Sequence, residues 1–210
     1  PPVCCTARLP DCRHQPGDPN VRMASTLAVI MIVALALPVQ PTFSADDLAQ
    51  GDADAIAAAI ASPDRLKADV EQDARRKPQQ VLEFAGIAPG MYVMDAFSAG
   101  GYYTELLART VGAKGQVIAY NNPPYAKFAE KGIAARYDGN RLPNVRQVTS
   151  GIEDLKLIPA SLDAAIFVMS YHDLYWRPTD GSWPATDPML LLAKLHAALK
   201  PGGVVVVQDH

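Results

Sequence analysis

Residues 91–110, MYVMDAFSAGGYYTELLART, constrain the fold of this chain more than any other stretch. An apolar run ends on an acid, Asp95, and a helical spacing of apolar residues begins at Tyr103. A loop of four small residues lies between them: Ser98, Ala99, Gly100 and Gly101. This order predicts a buried strand, a tight turn and a helix, the opening of a doubly wound α/β domain. Ligands of such sheets bind beyond the carboxyl ends of the strands, so the loop is the predicted binding site.

Strand and helix patterns alternate along the rest of the chain. Further strands are predicted at residues 116–120, 145–148, 162–170 and 204–208. Helices are predicted at residues 103–111, 125–136 and 189–199. The alternation predicts the α/β class: a doubly wound, mostly parallel Rossmann-like sheet with at least five strands.

Two helices are predicted before the first strand. Ser62, Pro63 and Asp64 are typical of a helix start, and Pro78 must break or kink that helix. The second helix, residues 79–86, is predicted to turn three apolar side chains inward: Val81, Leu82 and Phe84. A basic cluster precedes the break: Arg75, Arg76 and Lys77. The cluster is interpreted as a solvated helix face, with closure over a bound ligand as the alternative.

Composition narrows the class of partner. The net charge is -3, and no basic stripe suggests the electrostatic footprint of a nucleic-acid-binding protein. The expected partner is therefore a small-molecule substrate, and the oligomeric state is left open. The three cysteines are confined to the first twelve residues: Cys4, Cys5 and Cys12. Their placement excludes a disulfide framework or a zinc site inside the domain.

A targeting segment precedes the domain. Residues 27–37, LAVIMIVALAL, form an apolar run of eleven residues, whereas a bilayer span needs about 20. We interpret residues 23–45 as a signal peptide cleaved near Ala45, which predicts an exported, periplasmic or secreted protein. An uncleaved membrane anchor is the alternative, and only this segment is expected to contact a membrane. Three other parts complete the predicted organisation: residues 1–22, a leader or non-native extension; residues 46–61, an Ala-rich linker or helix; and residues 62–210, the folded domain.

Five motifs together resemble the class I S-adenosylmethionine-dependent methyltransferases. They are VMDAFSAGGYYTELLA, QVIAYNN, NVRQVTSGIEDL, SLDAAIFVMSYHDLYW and LKPGGVVVVQDH, in the family's order and spacing. The resemblance covers residues 62–210 and is closest to a branch of exported methyltransferases. It implies S-adenosylmethionine as the cofactor. The family sheet has two more strands after the fifth, so this domain is interpreted as incomplete at its C-terminus.

The resemblance also implies where the cofactor binds. Asp95 would organise the loop formed by residues 98–101 around the methionine part of the cofactor. Asn121, with Asn122 beside it, stands where the family has an acid that holds the ribose. Glu153 follows the position of the acid that faces the adenine, and either replaces it or caps a turn. Phe97 and Ala99 depart from the family motif, since they occupy the places of its first two glycines.

Methyl-acceptor contacts are expected after the fourth strand, in YHDLYW. His172 is the candidate general base, since its unperturbed pKa lies near neutrality. Asp173 is predicted to orient it or to bind the substrate. The alternative is that the aromatic residues pack the loop and His172 bonds a backbone carbonyl. Asp209 and His210 end the fifth strand and are placed at the same rim, while no ligand spacing indicates a metal site.

The leading functional hypothesis is a methyltransferase that acts on a small-molecule acceptor. The alternative is a non-catalytic protein of the same fold that binds a nucleoside-like ligand or a protein partner. A nicotinamide oxidoreductase is disfavoured, because the chain lacks both Gly-x-Gly-x-x-Gly and an acid after the second strand.

Overall fold

The computed structural model of the chain describes residues 45–209. The predicted leader and, apart from Ala45, the predicted signal peptide lie outside these residues. Between residues 45 and 209, no helix combines the length and the apolar character that a membrane crossing requires.

A five-stranded sheet forms the centre of the domain, and all its strands are parallel. The strands are β1 (Tyr92–Ala96), β2 (Gln116–Asn121), β3 (Val145–Thr149), β4 (Leu162–Val168) and β5 (Leu199–Gln208). Their order across the sheet is β3-β2-β1-β4-β5. The predicted doubly wound parallel sheet is therefore confirmed.

The order of the strands places the candidate site. β1 lies between β2 and β4, so the connection that leaves β1 runs toward the β3 edge of the sheet, whereas the connection that leaves β4 runs toward the β5 edge. Asp95 is in register with Ala119 on one side and Ile166 on the other. The switch in direction opens a crevice at this end of β1, where such sheets bind their ligands.

Eight helices surround the sheet in the described part of the chain. They are α1 (Ala45–Ile60), α2 (Lys67–Val70), α3 (Asp73–Arg76), α4 (Pro78–Phe84), α5 (Tyr102–Val111), α6 (Pro123–Phe128), α7 (Glu130–Tyr137) and α8 (Pro188–Ala198). Two short 3-10 turns cover Asp138–Asn140 and Tyr171–Leu174. The helix predicted at residues 125–136 is thus interrupted, at Ala129.

The prediction of one helix from Ser62 to Pro78 is wrong. The Ser62 hydroxyl accepts a hydrogen bond from the backbone of Asp64 within a turn. The buried Arg65 side chain donates to the Ile60 carbonyl and to both carboxylate oxygens of Asp73. These bonds fix the end of α1 close to the start of α3, which a continuous helix would not allow. The break at Pro78 is confirmed, because α4 begins there.

Two apolar layers cover the faces of the sheet. One packs Ile56 of α1 and Leu106 of α5 against Val93, and the other packs Leu191 of α8 against Phe167.

α4 corrects another prediction about the core. Leu82 of α4 is buried, but Phe84 is 78% exposed, so its predicted inward orientation is wrong. The reason is helical geometry: positions two residues apart lie about 200° apart around a helix, so Leu82 and Phe84 cannot face the same core.

A buried carboxylate joins α5 to the neighbouring segments. Glu105 is 1% exposed and accepts hydrogen bonds from Arg109, Arg136 and Arg141. Burial favours the neutral acid, but the bonds from the three guanidinium groups prevail and lower the pKa of Glu105. Arg136 also pairs with Asp69 of α2, at 2.5 Å. The network therefore ties α2, α5 and α7 together around the loop that follows β1.

Replacing Glu105 tests this network. Glu105→Gln is expected to lower the free energy of unfolding by about 3 kcal/mol, because it leaves buried guanidinium groups undercompensated. Urea denaturation measures the loss. The control Glu71→Gln, at an exposed position, should change stability by less than about 0.5 kcal/mol. Equal stability of the two variants would contradict the structural role of Glu105.

Candidate functional site

The loop after β1 has the backbone of a glycine-rich loop. Phe97, Ala99 and Gly101 have φ angles of 56°, 48° and 81°. These are the three positions at which the resembled family carries glycines. The left-handed conformation is therefore retained, although two of the three residues bear a Cβ. Gly101 caps the N-terminus of α5.

Packing explains why Phe97 is accommodated in a left-handed position. Its ring stacks on Tyr120 at 5.6 Å and meets Tyr125, Phe167 and Trp183. The left-handed conformation costs about 1–2 kcal/mol in a residue with a Cβ. Burial of a phenylalanine side chain contributes about 1.5–3 kcal/mol, which offsets that cost. The departure from glycine is thus compensated within the aromatic cluster.

Asn121 holds the loop from the end of β2. Its Oδ1 accepts from the Ala99 N–H at 2.9 Å, while its Nδ2 donates to Ser98 Oγ at 3.1 Å and to the Ala99 carbonyl at 3.2 Å. An aspartate could accept the first bond but could not donate the other two. The asparagine, which stands where the resembled family has an acid, is therefore the residue type that can make all three of these hydrogen bonds to the loop.

The Asn122 side chain caps a helix. Its Oδ1 caps α6 by accepting from the Tyr125 N–H at 2.9 Å. The Nδ2 of the same side chain is buried and has no hydrogen-bond partner among the described residues.

Asp95 is a buried carboxyl at the carboxyl end of β1. It is 4% exposed, and Thr104 Oγ1 donates to its Oδ2 at 2.6 Å. Desolvation raises the pKa of Asp95 to about 7, against the opposing effects of the Thr104 hydrogen bond and of the Arg136 and Arg76 charges. The site thus holds an acid that gains or loses its charge near neutral pH.

These residues border a cleft of about 380 Å³, called here the Asp95 cleft. Four predicted cofactor residues line it: Asp95, Ser98, Ala99 and Gly100. Its other walls include the rings of Tyr102, Tyr103 and Tyr125 and the charged side chains of Asp69, Arg76 and Arg136. The volume lies within the range of small-molecule sites.

The remaining predicted cofactor residues are not among those that line the Asp95 cleft. Asn121 and Ser98 line a neighbouring cleft of about 280 Å³ between β2, β3 and α7. Gly101 lies against α7, where a Cβ would come within 3.3 Å of Arg136 and Tyr137. Glu153 is exposed in the loop after β3, and its backbone carbonyl accepts from Lys194. The cofactor roles of all these residues stay predictions.

The structure pairs His172 with an acid at the end of β5. His172 Nδ1 lies 2.9 Å from Asp209 Oδ1, and the backbone N–H of His172 donates to Asp209 Oδ2. Asp173 Oδ1 lies 3.5 Å from His172 Nε2. Burial and, after it, the Asp173 carboxylate raise the pKa of Tyr125. Asp173 is therefore linked to the wall of the Asp95 cleft through Tyr125, and Asp209 is the better placed orienting group for His172.

Sequence reasoning missed the contribution of α7. Arg136 Nε donates to the Gly100 carbonyl at 3.0 Å, and Gly132 packs directly on Gly100. A Cβ on Gly132 would lie 3.2 Å from Gly100 Cα. A glycine inside a helical pattern is the sequence signal that could have indicated this close approach. Within residues 45–209, no cluster of three or more His, Cys, Asp or Glu side chains is arranged to hold a metal ion.

Comparison with known proteins identifies the fold. The chain matches no protein-family model. A SAM-dependent methyltransferase from Aquifex aeolicus superimposes with a TM-score of 0.50 at 23% identity, over 64% of this chain and 65% of that one. The tRNA (adenine(58)-N(1))-methyltransferase TrmI of Thermus thermophilus is 31% identical over 121 residues, which is 57% of this chain. The chain spans 40% of the length of this curated relative. The predicted class I methyltransferase fold is thereby confirmed.

The strained loop gives a first test of the site geometry. Ala99→Gly is expected to raise the free energy of unfolding by about 0.5–1 kcal/mol, because it relieves the left-handed conformation. The control Ala57→Gly, at an exposed position within α1, should lower it by about 1 kcal/mol. Chemical denaturation measures both values, and destabilisation by Ala99→Gly would refute the left-handed assignment.

Asp95 gives a second test, through pH. The folded protein keeps the Asp95 proton up to about pH 7, whereas an aspartate carboxyl in the unfolded chain, with its ordinary pKa of 3.8, loses the proton earlier. The unfolded state therefore binds fewer protons in this window, and the contribution of Asp95 to stability falls as the pH rises from about 4 to about 7. Asp95→Asn should remove this part of the slope, as measured by urea denaturation across the window. An identical slope in the two proteins would contradict the burial of Asp95 as an acid.

Proposed function

We propose that the protein is an S-adenosylmethionine-dependent methyltransferase that acts on a small-molecule acceptor. The observation that carries the proposal is the loop at the switch point of the sheet, in which left-handed residues 97, 99 and 101 follow the buried Asp95. In this geometry residues 97–100 line the Asp95 cleft directly, so a ligand can approach their backbone closely. The fold supports the same activity.

The residues of the Asp95 cleft fit the cofactor's chemistry. S-adenosylmethionine carries an ammonium, a carboxylate, a sulfonium and a flat adenine ring. Asp95 becomes negatively charged near neutral pH and Asp69 keeps a carboxylate that it shares with Arg136, so both can accept hydrogen bonds from the ammonium. Arg76 offers positive charge for the carboxylate. Tyrosine rings in the wall offer faces that attract a sulfonium or stack on a base.

The bound cofactor would supply an electrophilic methyl group, and the chain's own residues would place the acceptor. Placement contributes most of the rate in such a displacement, because the acceptor atom must lie in line with the methyl group. His172 and Asp209 stand at the carboxyl rim of β4 and β5. Their contact favours the tautomer with Nδ1 protonated. Nε2, which lies 3.5 Å from Asp173 Oδ1, is then the nitrogen that would accept a proton from an acceptor that must lose one.

A small-molecule acceptor agrees with the charge of the chain. RNA-binding proteins commonly carry a basic surface, whereas this chain has a net charge of -3. The name of the Thermus thermophilus relative describes that protein's substrate, and tRNA serves here as the comparison acceptor in the assay.

Two matched tryptophan variants test the cofactor site. Ala68 is exposed and lines the Asp95 cleft, whereas Ala74 is exposed on α3 and does not line it. We expect the full chain to bind S-adenosylhomocysteine in calorimetry. Ala68→Trp should weaken this binding by about tenfold or more, which is at least about 1.4 kcal/mol, because it fills the cleft. Ala74→Trp should bind like the parent chain.

Two outcomes would refute the cofactor assignment. One is absence of binding by the full chain at millimolar ligand, and the other is equal binding by the two variants. Transfer of a radioactive methyl group from S-adenosylmethionine to a small-molecule extract, but not to tRNA, would support the small-molecule acceptor. Binding without transfer to any acceptor would favour the non-catalytic alternative.

A further inference from the structure

A second and larger cleft lies beside the Asp95 cleft. It has a volume of about 560 Å³ and opens between α4 and the carboxyl ends of β4 and β5. We call it the β5 cleft. Its apolar wall includes Val81, Phe84, Val168, Met169 and Val207. Phe84 and Met169 are 78% and 42% exposed, so a ligand would find apolar surface on α4 and directly after β4.

Positive charge borders this apolar wall. Arg75, Arg76 and Lys77 line the β5 cleft, and no acidic side chain is among its lining residues. In the described part of the chain, neither Arg76 nor Lys77 forms an ion pair with a carboxylate. The cleft therefore combines an apolar wall with uncompensated cations, the combination that binds an apolar molecule carrying a negative group.

Arg76 is fixed at the boundary between the two clefts. Its guanidinium lies 4.6 Å from the centre of the Tyr102 ring, and its backbone carbonyl accepts from Tyr103 Oη at 2.7 Å. Its Nε is buried without a hydrogen-bond partner. Such a donor is unsatisfied in the described structure and would gain a bond from an anionic ligand.

The β5 cleft is continuous with the Asp95 cleft. Four residues line both: Arg76, Tyr103, Val168 and Met169. Molecules bound in the two clefts would therefore lie on either side of these four shared side chains. This adjacency is what a methyl donor and its acceptor require.

We propose that the β5 cleft binds the methyl acceptor, and that the acceptor is a small apolar molecule with one anionic group. This inference rests on the proposed methyltransferase function. In the reaction, a lone pair of the acceptor forms the bond to the methyl carbon while the sulfur–carbon bond breaks and its electron pair returns to sulfur. The products are the methylated acceptor and S-adenosylhomocysteine, and a protonated acceptor atom releases its proton to water.

A matched pair of probes tests the predicted ligand chemistry on the full chain. 2-Naphthoate and 2-naphthalenemethanol share the same rings, but only the first is an anion. Fluorescence titration is expected to show about tenfold tighter binding of the naphthoate. Phe84→Ala should weaken the binding of both probes, because both use the apolar wall.

Charge variants assign the preference to this cleft. Arg75→Gln/Lys77→Gln should remove the preference for naphthoate while leaving binding of the neutral probe unchanged. The control Lys114→Gln/Lys131→Gln removes the same net charge at exposed positions outside the cleft and should keep the preference. Equal binding of the two probes, no binding of either, or an unchanged preference in the first double variant would overturn the proposal.

Titration with S-adenosylhomocysteine separates this inference from the proposed function. Binding of both naphthoate and S-adenosylhomocysteine to the same sample supports an acceptor site beside a cofactor site. Naphthoate binding without any S-adenosylhomocysteine binding would overturn the acceptor role while leaving the ligand chemistry of the cleft in place. Cofactor-product binding without a preference for naphthoate would overturn the β5 cleft alone.

Discussion

The fixation of the loop after β1 is the constraint on which the rest of the site depends. A loop with left-handed residues at 97 and 99 is intrinsically unfavourable and persists only where its surroundings determine it. Asn121 bonds it from β2, Phe97 anchors it in an aromatic cluster, and α7 packs against it at Gly132. These contacts come from separate segments of the chain, so the loop is formed only in the folded domain.

Charge placement follows from the same loop. Asp95 is buried behind it and accepts a short hydrogen bond from the Thr104 hydroxyl, while Glu105, the residue after Thr104, is neutralised by three arginines. The pKa values of these two buried carboxyls therefore shift in opposite net directions, because only Glu105 is bonded by arginines. One has its pKa lowered and holds the structure together, and the other has its pKa raised to about 7 and lines the Asp95 cleft. Raised pKa values of this kind are frequent at functional sites.

The sheet was predictable because its signals are local. Apolar runs and the helical patterns between them identify strands and their parallel arrangement without knowledge of long-range contacts. Side-chain roles were less predictable, since they depend on partners far apart in sequence. The sequence places Asn121 only where the resembled family has a ribose-binding acid, yet the structure shows an amide that bonds the loop 22 residues earlier. The contact between His172 and Asp209 likewise joins residues 37 positions apart, so no local spacing in the sequence indicates it.

Two wrong predictions have equally physical causes. The helix expected after Ser62 is replaced by a turn and the short helices α2 and α3, and Arg65 joins these pieces by bonding Ile60 and Asp73. The inward placement of Phe84 ignored that it lies on the opposite side of α4 from Leu82. Its exposed ring instead becomes a wall of the β5 cleft.

Nuclear magnetic resonance of the backbone amides during titration with S-adenosylhomocysteine tests the central claim most directly. If the loop after β1 cradles the cofactor, the amides of residues 98–101 and of Thr104 shift and saturate together. Amides at the opposite end of the sheet, such as that of Gly115, remain in place. Shifts confined to residues away from this loop, or no shift at saturating ligand, would contradict the claim.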